Sequence, residues 1–177
     1  MLTVFSAKDF RLTEEQFATL YDIIIHAYRE TESEIWGENY VRVSEQEFGA
    51  CIDRDEILVA FLDGKVVGGI RYFHLRDKTW TFSLLGADFN QKGKGIGRAL
   101  IDAVEEKVKE KGGDRIHIEV LRAEDIDVES KNILSNWYQR LGYDLVKTID
   151  VFEVYDDADK WNKLANPSVF DCYLKAL

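Results

Sequence analysis

The segment with the clearest chemical potential is Lys92-Gly93-Lys94-Gly95-Ile96-Gly97-Arg98. Alternating glycines ahead of a helical stretch leave main-chain N–H groups uncovered. Those donors meet the positive end of the helix dipole, a natural seat for phosphate. Lys92, Lys94 and Arg98 add positive charge to a chain whose formal net charge is −10. The alternative is an ordinary glycine-rich turn with solvated lysines. Two familiar phosphate patterns fail here. The P-loop G-x-x-x-x-G-K-[ST] would need glycine at Asp88 and a hydroxyl at Gly95. The dinucleotide pattern G-x-G-x-x-G loses its last glycine to Arg98, and the strand before it is amphipathic rather than wholly apolar.

Other chemistry-bearing residues are more scattered. Glu119 and His117 share one face of an alternating stretch, where Glu119 could accept a proton or simply be a surface strand residue. Asp88 is a weaker candidate for the same role. Glu32, Glu34 and Glu38 surround Trp36 and Tyr40, as either a plugged core edge or a substrate mouth. Glu124, Asp125, Asp127 and Glu129 read as a solvated loop that could also hold a cationic group. His26 reads as a rim residue and His74 as a surface residue near a strand end. The histidines show no metal-ligand spacing, and Cys51 and Cys172 lie far apart, so free thiols and no metal are expected.

The elements that must position these groups follow from periodicity. Thr79–Leu85 alternates, with Trp80, Phe82 and Leu84 on one face. From Arg98 onward, Leu100, Ile101, Val104 and Val108 make a helical stripe, ended by Gly112-Gly113. Ahead of them come a strand at Leu2–Ser6, a helix opened by the capping box Thr13-Glu14-Glu15-Gln16, and a short helix at Ser44–Cys51. Glu56–Leu62 and Lys65–Leu75 flank Asp63-Gly64, a strong hairpin signal. After the glycine loop come a strand at Arg115–Leu121 and a helix capped by Ser130, with Ile133, Leu134, Trp137, Tyr138 and Leu141 as its stripe. A strand at Tyr143–Ile149, a long connection over Val151–Ser168 and a closing strand at Val169–Leu174 complete the chain. The helix between the strands at 79 and 115 is a crossover, so a parallel pair inside a mixed sheet is expected.

At 177 residues the chain suits one domain, 1–177, with a proper core. Its negative charge disfavours nucleic acid and anionic membrane. No apolar run approaches the roughly 20 residues that span a bilayer, and the first residues lack the charged lead of a signal peptide, so a cytoplasmic location is expected.

The loop resembles the acyl-CoA loop of the GCN5-related N-acetyltransferases (GNAT), R/Q-x-x-G-x-G/A, with Lys92 where arginine or glutamine is usual. Trp137-Tyr138-Gln139-Arg140-Leu141-Gly142-Tyr143 resembles the family's F/W-Y-x-x-x-G-F/Y segment. The order of elements is similar to the family's over nearly the whole chain. The resemblance implies an α/β (α+β) acyl-CoA N-acyltransferase fold, a mixed six- to seven-stranded sheet flanked by about four helices. It implies acetyl-CoA as acyl donor and direct transfer to a primary amine in a ternary complex. By the same resemblance, main-chain groups of Leu85, Gly86 and Ala87 would hold the pantetheine arm, with their side chains carrying little information. Amides of Lys92, Gly93, Lys94, Gly95, Ile96, Gly97 and Arg98 would hold the diphosphate, and Tyr138 would protonate the departing sulfur. The strand Thr79–Leu85 lacks the glutamate some members use as base, which leaves Glu119 acting through a water. Lys131 stands where the family often has a cofactor-touching asparagine, with Asn132 one place away. The acceptor would be a small-molecule or a protein or peptide amine, the acid-rich segments leaning towards a cationic one. A homodimer is left open. The competing reading is a non-catalytic acyl-CoA-binding module, which needs the loop but not Tyr138.

Overall fold

The structure, a computed structural model, describes residues 1–154 and 158–177. It holds a seven-stranded mixed sheet in the order β1-β2-β3-β4-β5-β7-β6. The strands are β1 (Leu2–Ser6), β2 (Ile57–Leu62), β3 (Lys65–Arg76), β4 (Thr79–Ala87), β5 (Arg115–Ala123), β6 (Asp144–Asp150) and β7 (Ser168–Ala176). All neighbours are antiparallel except β4 and β5, the pair joined through a crossover helix. The four longer helices are α2 (Glu14–Trp36), α3 (Glu45–Asp53), α4 (Ile96–Glu110) and α5 (Glu129–Arg140), and they match the expected number. Single turns at α1 (Ala7–Phe10), α6 (Val151–Val154) and α7 (Ala158–Trp161) were not legible in advance. Residues 155–157 of the long connection lie outside the described residues.

Local chemistry explains most boundaries. Thr13 and Gln16 make the reciprocal capping box that opens α2. Asp63 and Gly64 have φ of 50° and 80°, the left-handed pair that a tight hairpin between β2 and β3 requires. Two expectations fail on α5. Its N-cap is Val128, so the helix starts before Ser130, whose hydroxyl instead donates to the Thr31 carbonyl at 3.5 Å. Ile133 is 60% exposed, which removes it from the buried stripe. The strand expected over Tyr143–Ile149 is offset by one residue, beginning at Asp144, and Tyr143 just before it is buried.

The sheet is covered on both faces. Leu100, Ile101, Val104 and Val108 of α4 pack with Leu58, Tyr72, Phe82 and Ile116 on one face. Leu20 and Ile24 of α2 pack with Ile57, Val59 and Leu84 on the other. Each of these buried aliphatic or aromatic side chains contributes about 1.5–3 kcal/mol relative to exposure, so the two helices are pinned in place. A third cluster, with Trp36, Trp161, Leu121 and Phe170, closes the far end of α2 over β5 and β7. No described helix is long and apolar enough to cross a membrane.

Candidate active site

The site begins where two parallel strands part. β4 and β5 are paired only at Thr79–Arg115 and Trp80–Ile116. Beyond that point the β5-facing edge of β4, through Leu85, Gly86 and Ala87, has no strand partner among the described residues. An unpaired edge of this kind offers N–H and C=O groups to an extended ligand.

β4 is also bulged there. Arg71 faces Ser83 and Gly69 faces Gly86, so Ile70 of β3 stands opposite both Leu84 and Leu85. Leu84 takes up the extra residue in a left-handed conformation, φ 52°, at a cost of about 1–2 kcal/mol for a residue with a Cβ. The bulge reverses the strand's alternation. Phe82 lies in the core under α4, whereas Leu84 lies in the core under α2. The expectation that Trp80, Phe82 and Leu84 share a face is therefore corrected, because one inserted residue flips every later side chain. Tyr28 of α2 places its hydroxyl by the Leu84 and Leu85 amides. Burial raises its pKa, Arg42 opposes, and the net effect takes the phenol to about 12.

Side chains matter on this edge after all. A Cβ on Gly86 would lie 2.9 Å from the Cα of Ile24, and one on Gly68 would lie 2.7 Å from the Gly86 carbonyl oxygen. Gly86 is glycine because α2 crosses the strand at backbone contact, which corrects the expectation that identity there is immaterial.

The glycine loop sits at the end of the open edge. Asp88 caps a short 3-10 turn, Phe89–Gln91, and accepts from the Asn90 amide at 2.9 Å. Lys92, Gly93, Lys94 and Gly95 are all exposed. Gly93 and Gly95 have φ of 80° and 74°, conformations that glycine adopts without strain. Gly95 is the N-cap of α4 and offers no side-chain cap. The helix therefore begins at Ile96, not Arg98, and its first-turn amides at Ile96, Gly97 and Arg98 are left for a ligand. Ile96 contributes only its backbone, since its side chain is buried in the core. Arg98 is exposed and shared with Asp102 at 2.8 Å. A Cβ on Gly97 would meet the Trp137 ring at 3.0 Å. Trp137 is half-buried: it packs against the main core cluster and reaches from α5 onto the glycine loop.

Tyr138, next to it, is buried against Phe82 and Tyr143, with ring centroids 5.8 and 6.0 Å away. Its hydroxyl has no hydrogen-bond partner among the described residues. Burial pushes its pKa far above the ordinary tyrosine value, and Tyr28 adds to the effect. Tyr138 is therefore a protonated donor throughout the working pH range.

On the α2 side of the cleft lies a cavity of about 450 Å³ that reaches Leu85 and Tyr138. Trp36 and Glu32 line it, as the mouth reading expects, but Glu34 and Glu38 do not. Glu124, Asp125, Asp127 and Glu129 are exposed outside it. Glu32 accepts from Lys131 Nζ at 2.8 Å and from Trp36 Nε1 at 3.1 Å, all three residues being buried. Burial alone would raise the Glu32 carboxyl; Lys131 and Arg42 outweigh it and hold the group below its ordinary range. Lys131 is thus committed to Glu32 in the cavity wall, while Asn132 is exposed and bonded to Asp127. Glu119 and His117 both line the cavity. Burial lowers the His117 pKa, Glu119 partly offsetting it, so the imidazole is neutral at pH 7.

Pairing across the sheet adds what chain spacing hid. β7 places Cys172 opposite Glu119, and the ligand atoms of His117, Glu119 and Cys172 all lie within 4.8 Å of one another. The bulge, Tyr28 and Arg42 are the features of the cleft that sequence reasoning missed. A lone arginine between Val41 and Val43 was the only hint of Arg42.

The sequence model of the acetyltransferase (GNAT) family matches residues 18–143. No curated protein matches the chain significantly by sequence. Among solved structures, the PaiA N-acetyltransferase of Thermoplasma acidophilum in complex with coenzyme A is similar at TM-score 0.70 and 17% identity, covering 100% of this chain and 99% of that one. The ribosomal-protein-alanine N-acetyltransferase of Brucella melitensis is similar at TM-score 0.67 and 20% identity, covering 99% of both chains. An aminoglycoside 6'-N-acetyltransferase complexed with coenzyme A is similar at TM-score 0.68 and 18% identity, covering 99% and 96%. The family match spans the bulged strand, the glycine loop and Tyr138 together, and the chain belongs to the GNAT acetyltransferase family.

Proposed function

We propose that this protein is an acetyl-CoA-dependent N-acetyltransferase that passes acetyl to a primary amine by direct attack in a ternary complex. The observation that carries the reading is the parting of β4 from β5, with bare helix amides at one end and Tyr138 and a polar cavity at the other. The residues present fit an acyl-CoA. Amides of Gly93 and of Gly95 to Arg98 suit the diphosphate, whereas the Lys94 amide, expected among them, donates to the Gln91 carbonyl at 3.3 Å; the Lys92 and Lys94 side chains are exposed beside them. Main-chain groups of Leu85, Gly86 and Ala87 suit the amide-bearing arm, as an added strand would.

The bound thioester supplies an activated acetyl carbon: a C–N bond to the amine forms as the C–S bond breaks. The bulge amides of Leu84 and Leu85 donate to the Tyr28 hydroxyl; in the complex the thioester oxygen replaces that hydroxyl as acceptor, and one well-aimed donor in a water-poor cleft is worth about 10²–10³ in rate. Tyr138 gives its proton to the leaving sulfur. Glu119 takes the amine's proton through a water, with neutral His117 beside it. The coenzyme A complexes of the similar PaiA and aminoglycoside enzymes support the choice of donor.

The test is to mix the protein with acetyl-CoA and a panel of amines, following free thiol and the acetylated product. Thiol release that depends on an amine and falls in Tyr138→Phe is expected. Tight coenzyme A binding with no turnover on any amine, unchanged by Tyr138→Phe, would instead make this a binding module.

A further inference from the structure

We infer that the acceptor amine also carries a carboxylate, which docks on Arg42, so that the substrate class is free amino acids rather than polyamines or peptide amines. The inference rests on the acetyl-transfer reading above and deepens it. The cavity wall carries four cations, Arg42, Arg71, Lys131 and Lys160, against two carboxylates, Glu32 and Glu119. The chain's acidity therefore does not extend into the cavity, and the lean towards a cationic acceptor is reversed there.

Pairing within the wall singles out Arg42. Both oxygens of Glu32 are engaged, one by Lys131 and the other by Trp36. Arg71 is held by Glu56 at 2.8 Å. Arg42 lies over the Tyr28 ring, 5.4 Å from its centroid, and its guanidinium hydrogen-bonds the Tyr40 side chain and feels the Glu32 charge, which leaves one edge of the fork to fill. Its Nε is sealed from solvent and has no hydrogen-bond partner among the described residues. Buried donors almost always have an acceptor, and an arginine fork matches a carboxylate in shape as well as charge.

Position sets the rest of the ligand. The ring under Arg42 belongs to the tyrosine whose hydroxyl meets the Leu84 and Leu85 amides, so Arg42 stands one aromatic ring from the point of transfer. An amine at that point and a carboxylate on Arg42 must lie close together on one small molecule. Phe73, Trp161 and Phe170 line the remaining wall and suit an apolar side chain. A second ammonium, as in a polyamine, would meet Arg42 and Lys131.

The test compares three acceptors that share one ring: phenylalanine, phenylalaninamide and phenethylamine, with leucine and methionine and their amides alongside. The free acids should exceed their amides by roughly tenfold or more in kcat/KM, as an interaction with one buried charged donor implies. Arg42→Gln should erase that preference by raising the acceptor KM while the KM for acetyl-CoA stays put, and Arg42→Lys should restore part of it. Amides or bare amines used as well as the acids would overturn the inference. Calorimetry on the protein loaded with coenzyme A reads the same contact without turnover. N-acetylphenylalanine should bind and its amide should not. Equal binding, or none for the acid, overturns the docking; acid-selective binding with no acetylation of any amine leaves it standing and sinks the transfer reading instead.

Discussion

Lys131 of α5 and Glu32 of α2 meet at 2.8 Å with both side chains almost wholly removed from solvent. The pair fastens the helix that carries Tyr138 to the helix that carries Tyr28, on opposite sides of the cleft. Glu32→Ala leaves a buried ammonium without its partner and should cost about 3–5 kcal/mol in chemical denaturation. Glu32→Leu with Lys131→Met should recover most of that loss. The pair also sets an acid limit. The folded Glu32 carboxyl is held below its ordinary 4.5, so its contribution is present above that value and is lost as pH falls through the lower folded pKa. The double variant should therefore lose less stability than the parent on acidification below pH 4.5, measured as denaturation midpoints.

Gly86→Ala forces a Cβ to within 2.9 Å of the Ile24 Cα, a backbone atom that can move only if α2 moves. A cost of about 1–3 kcal/mol is expected, as for other overpacked sites. Because α2 also forms the cavity wall, acceptor KM should rise with it. An unaltered urea midpoint would mean that the helix does not cross the strand so closely.

The two glycines of the loop should behave differently. Gly95→Ala must hold an alanine at φ 74°, which costs about 1–2 kcal/mol and disturbs the amides offered to the diphosphate. Gly97→Ala instead pushes on Trp137 at 3.0 Å, so it should perturb Trp137 fluorescence and the seating of Tyr138. Thermal shift with coenzyme A should fall in the first variant, and kcat should fall more than affinity in the second.

What was legible in the sequence was local. The Asp63-Gly64 hairpin, the Thr13–Gln16 box and the stripe of α4 are each written within a few residues, and each formed as read. The glycine loop was legible because a helix start needs only its own backbone. The bulge was not, since Trp80, Phe82 and Leu84 read as an unbroken alternation and only the pairing with β3 inserts the extra residue. Arg42 and the grouping of Cys172 with His117 and Glu119 depend on segments far apart in the chain meeting in space.

Tyr138→Phe removes the unpartnered hydroxyl and leaves the ring packing with Phe82 intact. Turnover should drop by roughly 10²–10³ with coenzyme A affinity nearly unchanged, as for loss of a general acid. Burial raises the phenol so far that its ionisation should produce no alkaline limb in the kcat profile of the parent below pH 10. A limb at lower pH that disappears in the phenylalanine variant would show that the hydroxyl ionises in the working range.

The most direct measurement is a crystal structure of the protein grown with coenzyme A. The diphosphate should lie on the amides of Gly93 and of Gly95 to Arg98, and the arm should run along Leu85, Gly86 and Ala87 with its sulfur pointing at the Tyr138 hydroxyl. Density for the cofactor elsewhere, or β4 and β5 zipped together with the cleft closed, would contradict the account.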